Sequence, residues 1–219
     1  MNAAKVWALV PVKRFAGAKQ RLSARLDAEQ RAMLARAMLE DVLDALSRTS
    51  GLAGIAVVTV DDDASSVARR HGARVIADHA EHGHTTAVVS GAAQLARDGA
   101  TAVVTMPGDI PLITADEVTA VIAAAEHDRG FVIVPAHDRR GSNAILATPP
   151  GVVPLQFGDD SFLPHLESAR RCGIEPVVLP LPGIGLDIDH PQDLVLLLQR
   201  PSRTRAQALL AEMPEATCR

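Results

Sequence analysis

The feature that most constrains this chain is a steady alternation of short apolar runs with longer amphipathic stretches, carried over nearly its whole length. Val6 to Val12 is a short apolar run of the buried-strand type. Over residues 28–48, Met33, Leu34, Ala37, Met38, Asp41, Val42 and Ala45 recur at three- and four-residue steps, which predicts a helix with Asp27 as its N-cap. Ile55 to Val60 reads as a second strand, ended by Asp61-Asp62-Asp63, and a short helix follows to about His71. Arg74 to Ala77 is a third strand, Thr85 to Arg97 a helix, and Ala102 to Met106 a fourth strand leading into Pro107-Gly108-Asp109. Thr114-Ala115-Asp116-Glu117 reads as a capping box, the Thr hydroxyl accepting from the third helical N–H while Glu117 reaches back, and opens a helix to about His127. Phe131 to Val134 and Ala144 to Ala147 read as strands, Ser161 to Cys172 as a helix ended by Gly173, and Val177 to Leu179 as a strand. Asp189 is expected to cap a last helix over 190–200, with Pro191 in its first turn and Pro201 stopping it.

This order predicts an α/β fold: three layers, with a mostly parallel, twisted sheet and helices on both faces. The 219 residues suit one domain, at roughly 100–200 residues each, spanning 1–200. Residues 201–219 form a polar C-terminal tail that either makes a short helix or frays. In such sheets ligands sit beyond the carboxyl ends of the strands. The loops after the first and fourth strands, and the loop before the last helix, are therefore where chemistry is sought.

Composition removes several function classes. Four Phe, one Trp and no Tyr leave almost no aromatic platforms for stacking single-stranded bases. A formal net charge of −4 lacks the basic excess that duplex binding needs, so no nucleic acid is expected. The longest apolar runs, such as Leu194 to Leu198, fall far short of a membrane span, so no membrane partner is expected either. Cys172 and Cys218 lack CxxC partners and read as free thiols in a reducing compartment; with no signal-peptide layout, the expectation is cytoplasmic. The basic residues are unevenly spread: Lys5, Lys13, Arg14, Lys19, Arg21 and Arg25 all precede the first acid, Asp27. A mildly acidic protein with such a segment can still hold a small anion.

The loop after the first strand, Lys13 to Leu22, has neither a Walker A lysine nor GxGxxG. It offers a flexible, cationic turn that can wrap a triphosphate and neutralise a leaving diphosphate; the plainer reading is a solvated basic loop. In Pro107-Gly108-Asp109-Ile110-Pro111-Leu112, Asp109 sits at a strand's carboxyl end between two prolines, where a carboxylate either ligates Mg2+ or shapes a turn. In Gly185-Leu186-Asp187-Ile188-Asp189, an extended backbone puts both carboxylates on one face, where they repel unless a cation lies between them. Gly141-Ser142-Asn143 and Phe157-Gly158-Asp159-Asp160-Ser161 read as turn and cap chemistry or as an anion site at a helix start. His79, Glu81, His82 and His84 form a local cluster without a zinc motif and read as loop imidazoles. No GxSxG elbow supports hydrolysis, and His165 reads as a core or surface residue rather than a base.

Taken together, five stretches resemble the 2-phospho-L-lactate guanylyltransferase family of coenzyme F-420 biosynthesis, within the GT-A-like nucleotide-diphospho-sugar transferase group. They are Val10-Pro11-Val12-Lys13 through Ala18-Lys19-Gln20-Arg21-Leu22, Pro107 to Leu112, Gly141 to Ala144, Phe157-Gly158 through Ser161-Phe162, and Leu186 to Pro191, in family order over roughly residues 5–200. The resemblance implies an Mg2+ site of Asp109, Asp187 and Asp189. It implies a nucleotide site of Pro11, Val12, Lys13, Lys19, Gly83, Thr85 and Asp109, with Lys13, Lys19 and Asp109 catalytic. It implies an acceptor site around Ser142, Asn143, Gly158 and Ser161. One departure is Gly83-His84-Thr85-Thr86-Ala87, where the family often has Gly-Leu-Asn-Ala-Ala. Thr85 thus stands where an amide is usual for base recognition. Ser142 replaces the commoner Thr and keeps the hydroxyl.

The implied partners are GTP and a three-carbon phosphoacid: 3-phospho-D-glycerate, phosphoenolpyruvate or 2-phospho-L-lactate. A phosphate oxygen attacks the α-phosphorus and diphosphate leaves. The rivals are a molybdenum-cofactor or sugar-phosphate nucleotidyltransferase, whose Gly-rich first loop is missing here, and a non-enzymatic nucleotide-binding regulator. A homodimer is compatible with the sequence.

Overall fold

The computed structural model of the chain describes residues 5–77, 83–125 and 128–213. Its strands are β1 (Val6–Pro11), β2 (Leu52–Val58), β3 (Arg74–Ile76), β4 (Ala102–Thr105), β5 (Gly130–Pro135), β6 (Ser142–Thr148) and β7 (Val177–Val178). Its helices are α1 (Ala28–Ser47), α2 (Asp62–Arg70), α3 (His84–Arg97), α4 (Ala115–Ala123), α5 (Phe162–Arg171), α6 (Pro191–Gln199) and α7 (Arg205–Ala211). The strands form one seven-stranded sheet in the order β3-β2-β1-β4-β6-β5-β7. β1 pairs in parallel with β2 and β4, β2 with β3, and β5 with β7, whereas β6 runs antiparallel to both β4 and β5. The mostly parallel three-layer fold expected from the alternation is the one observed.

The pleat of β1 shows why both faces are covered. Val6, Ala8 and Val10 point into a cluster with Leu39, Val42 and Leu43 of α1, Val67 of α2 and Val118 of α4. Leu9 points the other way, to Val88 and Leu95 of α3. Farther along the sheet, Phe131 and Ile133 of β5 meet Phe162 and Leu166 of α5. No described helix is long and apolar enough to cross a membrane.

The direction of β6 decides where the site lies. Strand order turns at β1, with β2 on one side and β4 on the other, which opens a crevice above their carboxyl ends. Because β6 is reversed, its first residues, Ser142 and Asn143, arrive at that same end.

Two capping expectations differ from the structure. Thr114 does accept the N–H of Glu117, at 3.2 Å. Glu117 does not reach back, however; its carboxylate accepts the N–H groups of Gly183, at 2.7 Å, and Ile184, at 3.1 Å. The N-cap of α6 is His190, not Asp189. Asp193 accepts the N–H groups of Asp189, at 2.9 Å, and His190, at 2.6 Å, so the Asp189 carboxylate is not spent on capping. Past Pro201, α7 docks on α1: Asp41 accepts the N–H groups of Arg205, at 2.8 Å, and Ala206, at 3.0 Å. Ala206 and Leu210 are buried there with Leu34 and Met38.

Gly183 permits the close approach of Glu117. A Cβ built on it would lie 2.3 Å from both Glu117 Oε2 and the Leu112 carbonyl. Gly183→Ala is expected to lower the unfolding free energy by about 1–3 kcal/mol, read by urea denaturation against wild type.

Candidate active site

A cleft of about 630 Å³ opens at the carboxyl end of the sheet. Pro11, Val12, Lys13, Lys19, Asp109, Ser142, Asn143, Gly158, Ser161, Asp187 and Asp189 all line it. Gly83 lines a narrow extension beside Pro11, Val12 and Lys13. Thr85 lines neither; its hydroxyl accepts the N–H of Phe157 at 3.0 Å and so holds the cleft's far wall. His79, Glu81 and His82 lie outside the described residues.

The first loop is pinned rather than flexible. Phe15 is buried in the core, and its N–H donates to Asp61 Oδ2 at 3.0 Å. The other oxygen of Asp61 caps α2 through Ala64 N–H at 2.8 Å. Arg31 donates to the carbonyls of Leu26, at 2.7 Å, and Ala18, at 3.2 Å. These ties leave Lys13 exposed at the cleft while turning Lys19 inward. Lys19 takes a left-handed backbone, φ 54°, an uncommon state for a residue with a side chain. Its ammonium donates to Asp109 Oδ2 and, at 2.7 Å, to Asp189 Oδ1. Burial alone would lower the Lys19 pKa, but Asp109 and Asp189 outweigh it and raise it. Asp189 is held below the usual carboxylate range by Lys19 and Arg21, against the opposing effect of burial.

Asp187 sits differently. Burial pushes its carboxyl up, and the neighbouring charges of Asp109 and Asp189 push it further, against the Asn143 hydrogen bond. The Asn143 amide nitrogen donates to Asp187 Oδ1 at 3.0 Å and to the carbonyls of Ile184, at 3.0 Å, and Gly185, at 3.1 Å. Asn143 is therefore the staple that aims the 184–187 segment.

Among the described residues no group of three His, Cys, Asp or Glu is arranged to hold a metal ion. An ammonium, not a third oxygen ligand, lies between Asp109 and Asp189. The donor chemistry nonetheless suits a hard divalent cation. Asp109 Oδ1 is buried without a hydrogen-bond partner, and Asp187 bears uncompensated like charge nearby.

The opposite wall is built from hydroxyls. Ser142, Ser161 and His165 are buried. His165 Nδ1 lies 2.9 Å from Ser142 Oγ, and Ser161 Oγ lies 3.3 Å from it. The Gln156 N–H donates to His165 Nε2 at 3.0 Å. Ser161 precedes α5 without capping it through its side chain. Asp159 and Asp160 are exposed and paired: Arg21 meets Asp159 at 3.3 Å, and Arg140 meets Asp160 at 2.7 Å. Phe157 stacks edge-on between His84 and His165, at centroid distances of 4.8 and 5.1 Å. The sequence gives Asp61, His84 and His165 no part in the site: Asp61 reads as a strand end, His84 as a loop imidazole and His165 as a core or surface residue. Only Asp61 carried a local signal, an Asp directly before a helix.

The family described as "Guanylyl transferase CofC like" matches residues 6–214. A phosphoenolpyruvate guanylyltransferase of Conexibacter woesei is 37% identical over 203 residues, covering 92% of this chain and 91% of that protein. One of Rubrobacter xylanophilus is 39% identical over 192 residues, covering 88% and 93%. Among solved structures, a Desulfovibrio desulfuricans G20 protein described as a nucleotide-diphospho-sugar transferase superposes with a TM-score of 0.77 at 24% identity, covering 97% of this chain and 96% of that one. That last likeness speaks to the fold.

Burial holds His165 at about 4, below the 6.5 of an ordinary imidazole. Between those values the unfolded chain binds a proton that the native state refuses. This contribution to stability is therefore full above pH 6.5 and is lost as the pH falls toward 4. His165→Gln is expected to flatten the plot of unfolding free energy against pH by about one proton in that window, measured by urea denaturation across a pH series.

Proposed function

The chain belongs to the CofC-like guanylyl transferase family and is a nucleotidyltransferase; from that premise we propose that it transfers GMP from GTP to the phosphate of phosphoenolpyruvate, releasing diphosphate. The curated relatives at 37% and 39% identity, which carry that activity in their names, support the choice of acceptor. We further propose that the reaction serves coenzyme F-420 biosynthesis in the cytoplasm. The observation that carries the reading is the division of one cleft into a cationic wall, an acidic floor and a hydroxyl-lined wall.

A phosphate oxygen of the acceptor attacks the α-phosphorus of GTP. The new P–O bond forms as the bond to the bridging α,β-oxygen breaks, and that electron pair leaves on diphosphate. Attacker and target are both anions, so the protein's task is neutralisation and in-line placement. Lys13, exposed at the cleft, faces the triphosphate. Lys19 holds Asp109 and Asp189 in place. Asp109 and Asp187, with Asp189 beside them, would hold Mg2+, which supplies charge neutralisation to the phosphates when bound. Ser142, Gly158 and Ser161 receive the acceptor. The acceptor phosphate is already ionised near neutrality, so no protein base is required.

The test is diphosphate release from GTP with phosphoenolpyruvate, 3-phospho-D-glycerate or 2-phospho-L-lactate, with products weighed by mass spectrometry. Phosphoenolpyruvate is expected to give the guanylylated product, and silence with all three acids overturns the reading. Asp109→Asn and Asp187→Asn are each expected to lower kcat by about 100-fold or more. Lys13→Ala is expected to act chiefly on the KM for GTP.

A further inference from the structure

The hydroxyl-lined wall has a direction built into it, set by hydrogen bonds that reach back behind the cleft. The Gln156 backbone N–H can only donate, and it faces His165 Nε2 at 3.0 Å. Nε2 must therefore offer its lone pair, and a neutral ring then carries its one proton on Nδ1. That N–H lies 2.9 Å from Ser142 Oγ, so Ser142 accepts there. Ser161 Oγ supplies a second donor, at 3.3 Å. A hydroxyl has two lone pairs and one proton. With His165 and Ser161 on its lone pairs, the Ser142 proton is turned toward the cleft that Ser142 lines. Were Ser142 to donate to Ser161 instead, the Ser161 proton would take the same place, because Ser161 lines the cleft as well.

From this geometry we infer that His165 is a positioning residue: it fixes the hydroxyl relay so that the cleft presents an O–H donor to an anionic oxygen of the acceptor. The inference rests on the proposed phosphoacid acceptor. One further contact and burial keep the ring in place and neutral. Phe157 packs against it in a T-shaped arrangement with ring centroids 5.1 Å apart, and its burial within the wall favours the neutral form. A ring protonated on Nε2 would set donor against donor at Gln156.

The relay makes two separable demands on His165: an acceptor at the Nε2 position for Gln156 and a donor at the Nδ1 position for Ser142. Asn at 165 places an amide N–H near the Nδ1 position. Gln reaches the Nε2 position and leaves Ser142 without its donor. His165→Gln is expected to raise the KM for phosphoenolpyruvate by about tenfold or more, as a lost bond within a charged-ligand site does, with the KM for GTP unchanged within about twofold. His165→Asn is expected to restore the phosphoenolpyruvate KM to within about threefold of wild type. Equal movement of both KM values, or equal loss in the two variants, overturns the inference. Ring-nitrogen NMR of the 15N-labelled wild type, assigned with the His165→Asn protein, tests it without catalysis. A proton on Nδ1 and a bare Nε2 support the relay, and a proton on Nε2 overturns it. A wild type that transfers no guanylyl group sinks the proposed function, and the ring-nitrogen result then decides the relay alone.

Discussion

The ammonium of Lys19 donates to Asp109 and Asp189, residues 90 and 170 positions away, and three loops depend on that shared contact. Such a half-buried ion cluster repays its desolvation only when geometry is good, and removing the ammonium leaves the two carboxylates facing each other. Here the geometry is prepared from outside. Phe15, Asp61 and Arg31 fix the loop that carries Lys19, and Asp193 fixes the backbone at Asp189. The ammonium balances only part of the acid around it. Asp187 stays uncompensated, and one buried oxygen of Asp109 has no partner. The floor of the cleft thus retains a demand for positive charge that its own side chains do not meet.

The two sides of the cleft handle charge by different means. On the side of the first loop, formal charges face one another and the ion pairs set the geometry. On the far side, neutral groups do the work: two serines and an imidazole held uncharged by burial. Fixed dipoles can face an anion without the like-charge repulsion that carboxylates would bring and without long, mobile cationic side chains. The acidic residues next to Ser161 are each offset by an arginine, Asp159, which also lines the cleft, by Arg21 and Asp160 by Arg140.

Much of this was legible in the sequence, and the limit is physical. Strand and helix positions follow from local periodicity, so the alternation and the loops worth searching were readable without coordinates. Asp109, Asp187 and Asp189 stood out because carboxylates at strand ends or on one face need a reason. Contacts that depend on which distant segment arrives nearby left no local trace. Glu117 satisfies both the pattern of a capping box and a pair of N–H groups 66 and 67 positions away, and only the fold decides between them. Thr85 stands at a position associated with base recognition, yet its hydroxyl is engaged by Phe157, 72 positions on. The polar partners of His165, at Gln156 and Ser142, fall outside any helical or strand period.

The reversal of β6 has a consequence for how this scaffold can diversify. Ser142 and Asn143 open an interior strand whose following residues, Ile145 to Ala147, are paired with β4 on one flank and β5 on the other, so the strand that carries them is anchored in the sheet. A change of acceptor on such a rail comes from exchanging one side chain for another. Insertions and loop remodelling are free to work elsewhere along the rim, and ligand preference is written in a very short alphabet at fixed coordinates.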